Sequence, residues 1–197
     1  MTPLPLMTLS GTFDVNQRSD RMDWEFLDIG AVPGQPPQPG GEHWNSDVFF
    51  SAGQSFCIAL TATDNQLTGF QSFQILDCHL ITRPQILRCG KDELTLYAPP
   101  SPFVDAAGDT LNAVCPIAGT DFLPLSSTQP NGSTQQTMLW ANSLTVGGIN
   151  AHWEMSLYIT VSIQRAWSEQ QQLRVFYFDP ESEVGNGTTP PDVVGKR

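Results

Sequence analysis

The sequence predicts an all-β protein, more specifically a two-sheet antiparallel β-sandwich of jelly-roll-like form with little helix. The main observation is an alternation of apolar and polar residues over residues 153–163. Shorter runs of strand-forming residues are separated by turn residues, and no segment keeps a helical period over three turns. Because a sheet must bury its apolar face against another layer, two packed antiparallel sheets are expected, with a closed barrel as the alternative.

The clearest predicted strand covers residues 153–163. Its apolar side is formed by Trp153, Met155, Leu157, Ile159, Val161 and Ile163. Its polar side is formed by Glu154, Ser156, Tyr158, Thr160 and Ser162. A polar stretch then leads into residues 173–178, which are rich in strand formers on both faces. These two runs predict a hairpin that ends at Asp179 and Pro180.

Other runs predict the remaining strands. They cover residues 6–15, 55–63, 70–82, 85–88, 93–97 and 135–146. Two of them show a period-two apolar side, formed by Phe56, Ile58 and Leu60 in one run and by Met138, Trp140 and Leu144 in the other. A helical turn or two is expected only within residues 103–114.

The length of 197 residues is compatible with one β-sandwich domain. We expect this domain to cover residues 1–184. Residues 31–42 contain four prolines, which block sheet pairing, so they predict a long surface loop. Residues 185–197 predict a flexible C-terminal tail.

Charge excludes some classes of partner. The formal net charge is -11, and its carboxylates are spread along the chain. Lysine occurs only at Lys91 and Lys196. Nucleic acid and anionic membranes are therefore unexpected partners, because both need clustered basic residues. Residues 1–10 lack the pattern of a signal peptide, so a cytoplasmic location is expected.

The four cysteines do not have the spacing of a zinc site. Cys57 and Cys78 lie inside predicted strands, which favours reduced, buried thiols over disulfides in a cytoplasmic chain. The other two cysteines are Cys89, which precedes Gly90, and Cys115. No cofactor is expected.

Two segments combine the side chains that typically bind sugars. His43, Trp44, Asn45 and Asp47 follow the predicted surface loop and supply an aromatic face, an amide and a carboxylate. Aromatic rings stack on a pyranose while polar groups bind its hydroxyls, although ordinary loops also contain these residues. Asn150 and His152 form a second candidate group before Trp153, which is itself expected in the core.

Three alternating carboxylates, Asp179, Glu181 and Glu183, are weak candidates for a calcium site. Their spacing does not match an EF-hand loop, and a solvated turn is the favoured interpretation. The third histidine, His79, lies within a predicted strand, where a hydrogen-bonded structural role is favoured over ligand binding.

Residues 158–185 resemble the C-terminal end of the bacterial inclusion-body protein family. The resemblance is carried by an alternating strand, a polar turn, an aromatic strand and the step Phe178-Asp179-Pro180-Glu181. Residues 50–63 and 70–81 are similar in placement to the central hairpin of that family. The resemblance implies an abundant bacterial cytoplasmic protein that packs into crystalline inclusions and binds sugar.

The expected function is therefore non-enzymatic: a lectin-like, carbohydrate-binding sandwich, a homo-oligomer that self-assembles into cytoplasmic inclusions, or both. One alternative is a structural subunit of a larger assembly of phage or virion type, because low charge and proline-rich arms suit repeated subunit contacts. A second alternative is an enzyme whose site is built from distant loops around His43, His79 and His152.

Overall fold

The computed structural model describes residues 6–29, 43–44, 48–66, 68–84, 98–125, 134–149, 151–168, 170–178 and 183–186. These residues form two β-sheets and one 3₁₀ turn, Gly119–Asp121. The predicted all-β, two-sheet class is confirmed. Within the described ranges, no helix has the length and apolar character needed to cross a bilayer.

The first sheet, sheet A, is mixed and contains eight strands. They are β1 (Leu6–Asp14), β2 (Asp23–Ile29), β3 (His43–Trp44), β5 (Ser55–Asp64), β7 (Phe103–Val104), β9 (Phe122–Leu125), β10 (Thr134–Trp140) and β11 (Leu144–Val146). The strand order is β3-β2-β1-β5-β10-β9, and β11 joins β5 to β7.

The second sheet, sheet B, contains six strands. They are β4 (Val48–Phe50), β6 (Phe70–Pro84), β8 (Val114–Ala118), β12 (His152–Arg165), β13 (Gln172–Phe178) and β14 (Glu183–Asn186). The order is β4-β14-β12-β6-β8, and β13 pairs with β12 on the same side as β14.

Two strand pairs depart from the predicted antiparallel arrangement. Strand β1 pairs with β5 in parallel, from Leu6 opposite Ser55 to Asp14 opposite Thr63. Strand β14 pairs with β4 in parallel. The first departure arises because the chain leaves sheet A after β3, forms β4 in sheet B and then returns, so β5 enters sheet A in the same direction as β1.

The predicted hairpin of β12 and β13 is confirmed, with Leu157 opposite Phe178 and Ile163 opposite Gln172. The predicted apolar side of β12 faces the space between the sheets, and all six of its side chains are at most 1 % exposed. Phe56, Ile58 and Leu60 of β5 are also buried completely.

The chain crosses between the sheets at the Asp64-Asn65 turn. Strand β5 belongs to sheet A and β6 to sheet B, so these strands face each other across the core and do not pair. The placement that resembled a central hairpin is therefore not a hairpin in this chain. Both β5 and β6 are apolar on the inner side, which allows them to pack face to face.

Two other details differ from expectation. The predicted strand at residues 135–146 is divided into β10 and β11, because the chain bends where the Ala141 N–H donates to the Asp121 carbonyl. The expected helical turns at residues 103–114 are absent from this described segment. Asp105 instead closes a tight turn, in which its carboxylate accepts the N–H groups of Ala107 and Asp109.

Some predictions lie outside the described residues. These are the strands at residues 85–88 and 93–97 and the surface loop at residues 31–42. Strand β14 includes Gly185 and Asn186, which the sequence assigned to the tail, and residues 187–197 are not described.

Candidate functional site

The sugar-site prediction at residues 43–47 can be placed only in part. His43 and Trp44 form β3 and pair with Leu27 and Phe26 of β2 at the edge of sheet A. Asn45 and Asp47 lie outside the described residues. This site therefore stays a prediction.

The second predicted group lies at the start of β12. His152 is half-buried and opposite Gly185, which in turn is opposite Phe49 of β4. Neighbouring strands lie about 4.8 Å apart, so the backbones of β12 and β4 are about 10 Å apart. The topology thus brings His152 to the same corner of sheet B as β4, the first described strand after Trp44. Asn150 is outside the described residues.

The three calcium candidates divide in the same way. Asp179 and Glu181 are outside the described residues, whereas Glu183 lies in β14 opposite Glu154. Glu154 forms an ion pair with Arg83 of β6. Within the described ranges, no three potential ligands are grouped so that they could hold a metal ion.

Trp153 is a core residue, as predicted. Its side chain is 1 % exposed, and its indole N–H donates to the Pro99 carbonyl at 2.9 Å. It is one of the residues that line a small pocket of about 120 Å³, together with Pro102, Val104 and Ile149. Ligand pockets usually enclose about 300–1,000 Å³, so this pocket is too small for a sugar ring.

The most unusual surface of the described structure is the outer face of sheet B. We use this term for the side of β13, β12, β6 and β8 that points away from sheet A. Five large apolar side chains are exposed there, namely Leu173 (64 %), Val175 (51 %), Leu76 (50 %), Val114 (47 %) and Tyr158 (38 %). Single exposed apolar residues are normal, whereas five of them on one face of a sheet make that face the candidate interaction surface.

A row of ring-bearing side chains crosses the middle of this face. Tyr177, Tyr158, His79 and Pro116 lie opposite one another on the four adjacent strands. The two tyrosine rings stack with their centroids 5.6 Å apart and their planes 15° apart. The only sequence signal for this row was Tyr158, an aromatic residue on the polar side of β12.

The exposure of Leu76 has a local cause. Strand β6 contains an irregularity where its pairing with β12 shifts between Thr160 and Val161. Asp77 is opposite Thr160 and Ile75 is opposite Val161, so Leu76 is the extra residue of a β-bulge. The bulge places Leu76 and Asp77 on the surface together.

His79 is hydrogen-bonded, as predicted, and its partner is Asp77. The imidazole Nε2 and the carboxylate are 2.9 Å apart on the outer face of sheet B. This pair is exposed, with 38 % and 58 % of the two side chains accessible. The carboxylate therefore orients the imidazole within the ring-bearing row.

A polar network lies at the far end of β12. The carboxylate of Asp64 is 1 % exposed and accepts hydrogen bonds from Asn16, Thr68 and the Phe70 N–H. The buried guanidinium of Arg165 donates to Thr68, to Asn16 and to the Val15 carbonyl. These hydrogen bonds join the segment after β1, the segment before β6 and the end of β12. The role of this cluster is therefore structural.

The pKa of Asp64 is lowered by this network. Burial alone raises the pKa of the carboxyl, but the backbone N–H groups of Thr68 and Phe70 and the side chains of Asn16 and Thr68 outweigh that effect. Hydrogen bonds to a carboxylate favour its charged form. Asp64 is therefore ionised in the folded protein at neutral pH.

The described cysteines are free thiols, as expected for Cys57 and Cys78. Burial raises the pKa of Cys57 to about 11. Burial, with smaller contributions from Asp77 and Cys115, raises the pKa of Cys78 to about 12. Both side chains are thus protonated at neutral pH and have the character of core residues, not of nucleophiles. Cys89 is outside the described residues.

Comparison with known proteins does not extend these observations. No protein-family model, curated protein or solved structure matches the chain. The resemblance to inclusion-body proteins stays a prediction, and the candidate site rests on the outer face of sheet B itself.

Proposed function

We propose that this chain is a non-catalytic, self-associating β-sandwich in which the outer face of sheet B packs against further copies. The supporting observation is the group of five large, exposed apolar side chains on that face. On the strands of sheet A, within the described residues, Leu123 is the only large apolar side chain exposed to a similar degree. The asymmetry between the sheets favours a specific contact surface.

The charge distribution also favours this surface. Copies with a formal net charge of -11 repel each other at neutral pH. The charged groups on the described part of the outer face are Asp77, Arg83 and Glu154, and Arg83 pairs with Glu154. Two copies can therefore approach through this face with less repulsion than through the rest of the acidic surface.

The composition of the face resembles that of protein interfaces. Tyrosine is enriched at interface centres, whereas lysine and glutamate are depleted there. Tyr177 and Tyr158 form one end of the ring-bearing row, and Val175 and Leu173 follow Tyr177 along β13 on the same face. Repeated contacts of this kind are the basis of the proposed role as an assembly subunit or an inclusion-forming protein.

The test is the mass of the protein in solution as a function of concentration. We expect the mass measured by sedimentation velocity and light scattering to rise from monomer to oligomer with concentration. Leu173→Thr should weaken association by about tenfold, because the substitution removes apolar area from the contact. Leu123→Thr is the matched control, since Leu123 is 56 % exposed on an edge strand of sheet A.

Two results would contradict the proposal. One is a wild-type protein that stays monomeric at every concentration. The other is an oligomer that Leu173→Thr and Leu123→Thr weaken equally, because the contact would then not be specific to sheet B.

A further inference from the structure

The backbone of β13 is oriented by its contact with residues 20–22. The Tyr177 N–H donates to the Asp20 carbonyl, and the Tyr177 carbonyl accepts the Met22 N–H. Both polar backbone groups of Tyr177 therefore point away from β12. Because backbone groups alternate in direction along a strand, those of Val175 and Leu173 also point away from β12.

At Val175 and Leu173, no described segment pairs with the outer edge of β13. Residues 20–22 cover the edge at Tyr177, through a parallel bridge between Arg21 and Tyr177. In the described chain, no segment is hydrogen-bonded to the outward N–H groups of Leu173 and Val175. An exposed strand edge with free N–H and carbonyl groups is a template for pairing with another strand.

The two outward positions of this edge carry no protective side chain, and the inward-pointing charge between them, Arg174, is bound within its own subunit by Asp20. Proteins commonly place lysine, proline or an inward-pointing charge on an open edge. Strand β8, which forms the other edge of sheet B, has such protection because it contains Pro116. The open positions of β13 instead carry Leu173 and Val175, which are 64 % and 51 % exposed.

We propose that two copies of this chain pair through their β13 edges, in antiparallel orientation, with the backbone groups of Leu173 and Val175 forming the intermolecular hydrogen bonds. This inference rests on the proposed self-association and specifies its geometry. A strand that pairs with itself in antiparallel orientation gives a two-fold contact, which is the commonest symmetry of homo-oligomers.

Charge at the edge is compatible with a second copy as the occupant. Arg174 lies between the two open positions and forms an ion pair with Asp20 at 3.1 Å. Its guanidinium also donates to the Gln17 carbonyl and lies over the Phe176 ring, 4.7 Å from the centroid. The cation is thereby neutralised and held within its own subunit, which reduces repulsion between two facing β13 strands.

Pairing would also join the two outer faces. The side chains of Leu173 and Val175 point to the outer face of sheet B, opposite Ser162 and Thr160. In the paired dimer, the corresponding side chains of the second copy would lie next to them on one continuous sheet. Cross-strand contacts between such residues stabilise sheets, so the edge and the face contribute to the same interface.

Amide hydrogen exchange at single-residue resolution tests the geometry in the wild-type protein. We expect the N–H groups of Leu173 and Val175 to exchange at least about tenfold more slowly in the oligomer than in dilute monomer. Arg174 and Phe176 are internal controls, because their N–H groups face β12 and should be protected at both concentrations.

The outcomes separate this inference from the proposed function. If the protein associates without added protection at Leu173 and Val175, the edge geometry is wrong and the outer-face contact stands. If the protein does not associate, both proposals are wrong. Slower exchange at these two residues in the oligomer supports both.

A pair of substitutions at one position adds a second measurement. Val175→Pro removes the outward N–H but keeps an apolar side chain, and proline is tolerated at edge positions whose N–H faces solvent. Val175→Thr keeps the N–H and removes apolar character. We expect Val175→Pro to weaken association at least about tenfold more than Val175→Thr. Equal effects in folded variants would overturn edge pairing.

Discussion

Gly119 shows how one residue accommodates the bulge in β6. A Cβ atom at this position would lie 1.9 Å from the Ile75 carbonyl oxygen and 2.7 Å from the Ile75 carbonyl carbon. These are backbone atoms next to the bulged residue Leu76, so they cannot rotate away as a flexible side chain would. The 3₁₀ turn can pack against the bulge only because residue 119 has no side chain.

Gly119→Ala should therefore destabilise the fold by about 1–3 kcal/mol or more, the usual cost of forcing extra atoms into a packed region. Chemical denaturation gives the free energy of unfolding. Gly148→Ala is the control, because nothing lies within 4 Å of a Cβ atom built at Gly148. A Gly119→Ala variant as stable as Gly148→Ala would show that the turn can move away from the bulge.

Residue-scale patterns predicted the core better than the surface. The apolar residues of β12 had to be buried because they alternate with polar ones, and the structure buries them all. Tyr158 lay on the polar side, where a single tyrosine is unremarkable. Its neighbours Tyr177, His79 and Pro116 come from three other strands, so only strand register could reveal the row.

At the scale of elements, the Asp64 network holds three chain connections at one end of the sandwich. Asn16 follows β1, Thr68 precedes β6 and Arg165 ends β12. Hydrogen bonds to the two charged groups, Asp64 and Arg165, help to fix the relative positions of these connections. Trp167 adds a further contact, because its indole N–H donates to the Thr68 carbonyl.

Asp64→Asn should lower the free energy of unfolding by about 1–3 kcal/mol at neutral pH, because a neutral amide is a weaker acceptor for the donors around it. The lowered pKa of Asp64 means that the folded state binds a proton less readily than the unfolded state. Its stabilising effect is thus present above the ordinary aspartate pKa of about 4 and is lost as pH falls below it.

Denaturation at several pH values checks this dependence. The stability difference between wild type and Asp64→Asn should shrink as pH falls from neutral to below about 4. Asp109→Asn is a control at an exposed carboxylate. A difference that stays constant over this pH range would contradict a role for the charge of Asp64.

Strands with simple patterns were predictable, and strands that depend on tertiary position were not. Strand β2 was missed because its alternation of acidic and apolar residues covers only residues 23–26 and is broken at Leu27. Strands β8 and β9 contain Pro116 and Pro124, which normally argue against a strand. Both are edge strands, where a missing N–H is tolerated, but edge position is a property of the whole sheet.

On the scale of the whole molecule, the proposed association balances apolar attraction against charge repulsion. The net charge of -11 opposes contact between copies, while the outer face of sheet B favours it. Dissolved salt screens exposed charges and leaves the apolar term largely intact. The two contributions can therefore be separated by ionic strength.

Association should strengthen several-fold when sodium chloride is raised from about 20 mM to about 300 mM, because the Debye length shortens over this range. Sedimentation velocity at neutral pH measures the change in dissociation constant. Leu173→Thr should show the same salt trend from a weaker starting point. Association that weakens with salt would indicate attraction between opposite charges and would contradict the proposed apolar contact.

The candidate site was only partly predictable at this scale. The sequence located residues 43–47 and 150–152 as separate polar-aromatic groups, and the topology places His152 near the strand that follows the first group. It could not locate the outer face of sheet B, because that face combines residues from four strands whose order is set by tertiary packing.

The parallel pairing of β1 with β5 has a consequence for how the chain acquires its structure. During synthesis β1 can form a hairpin with β2 at once, but its other edge must wait until Ser55 and the rest of β5 have emerged. Pairings between distant segments form slowly, because the intervening chain must first be closed into a loop. An apolar strand with a vacant edge therefore persists in the nascent chain, and the yield of native protein depends on keeping nascent chains apart during that interval.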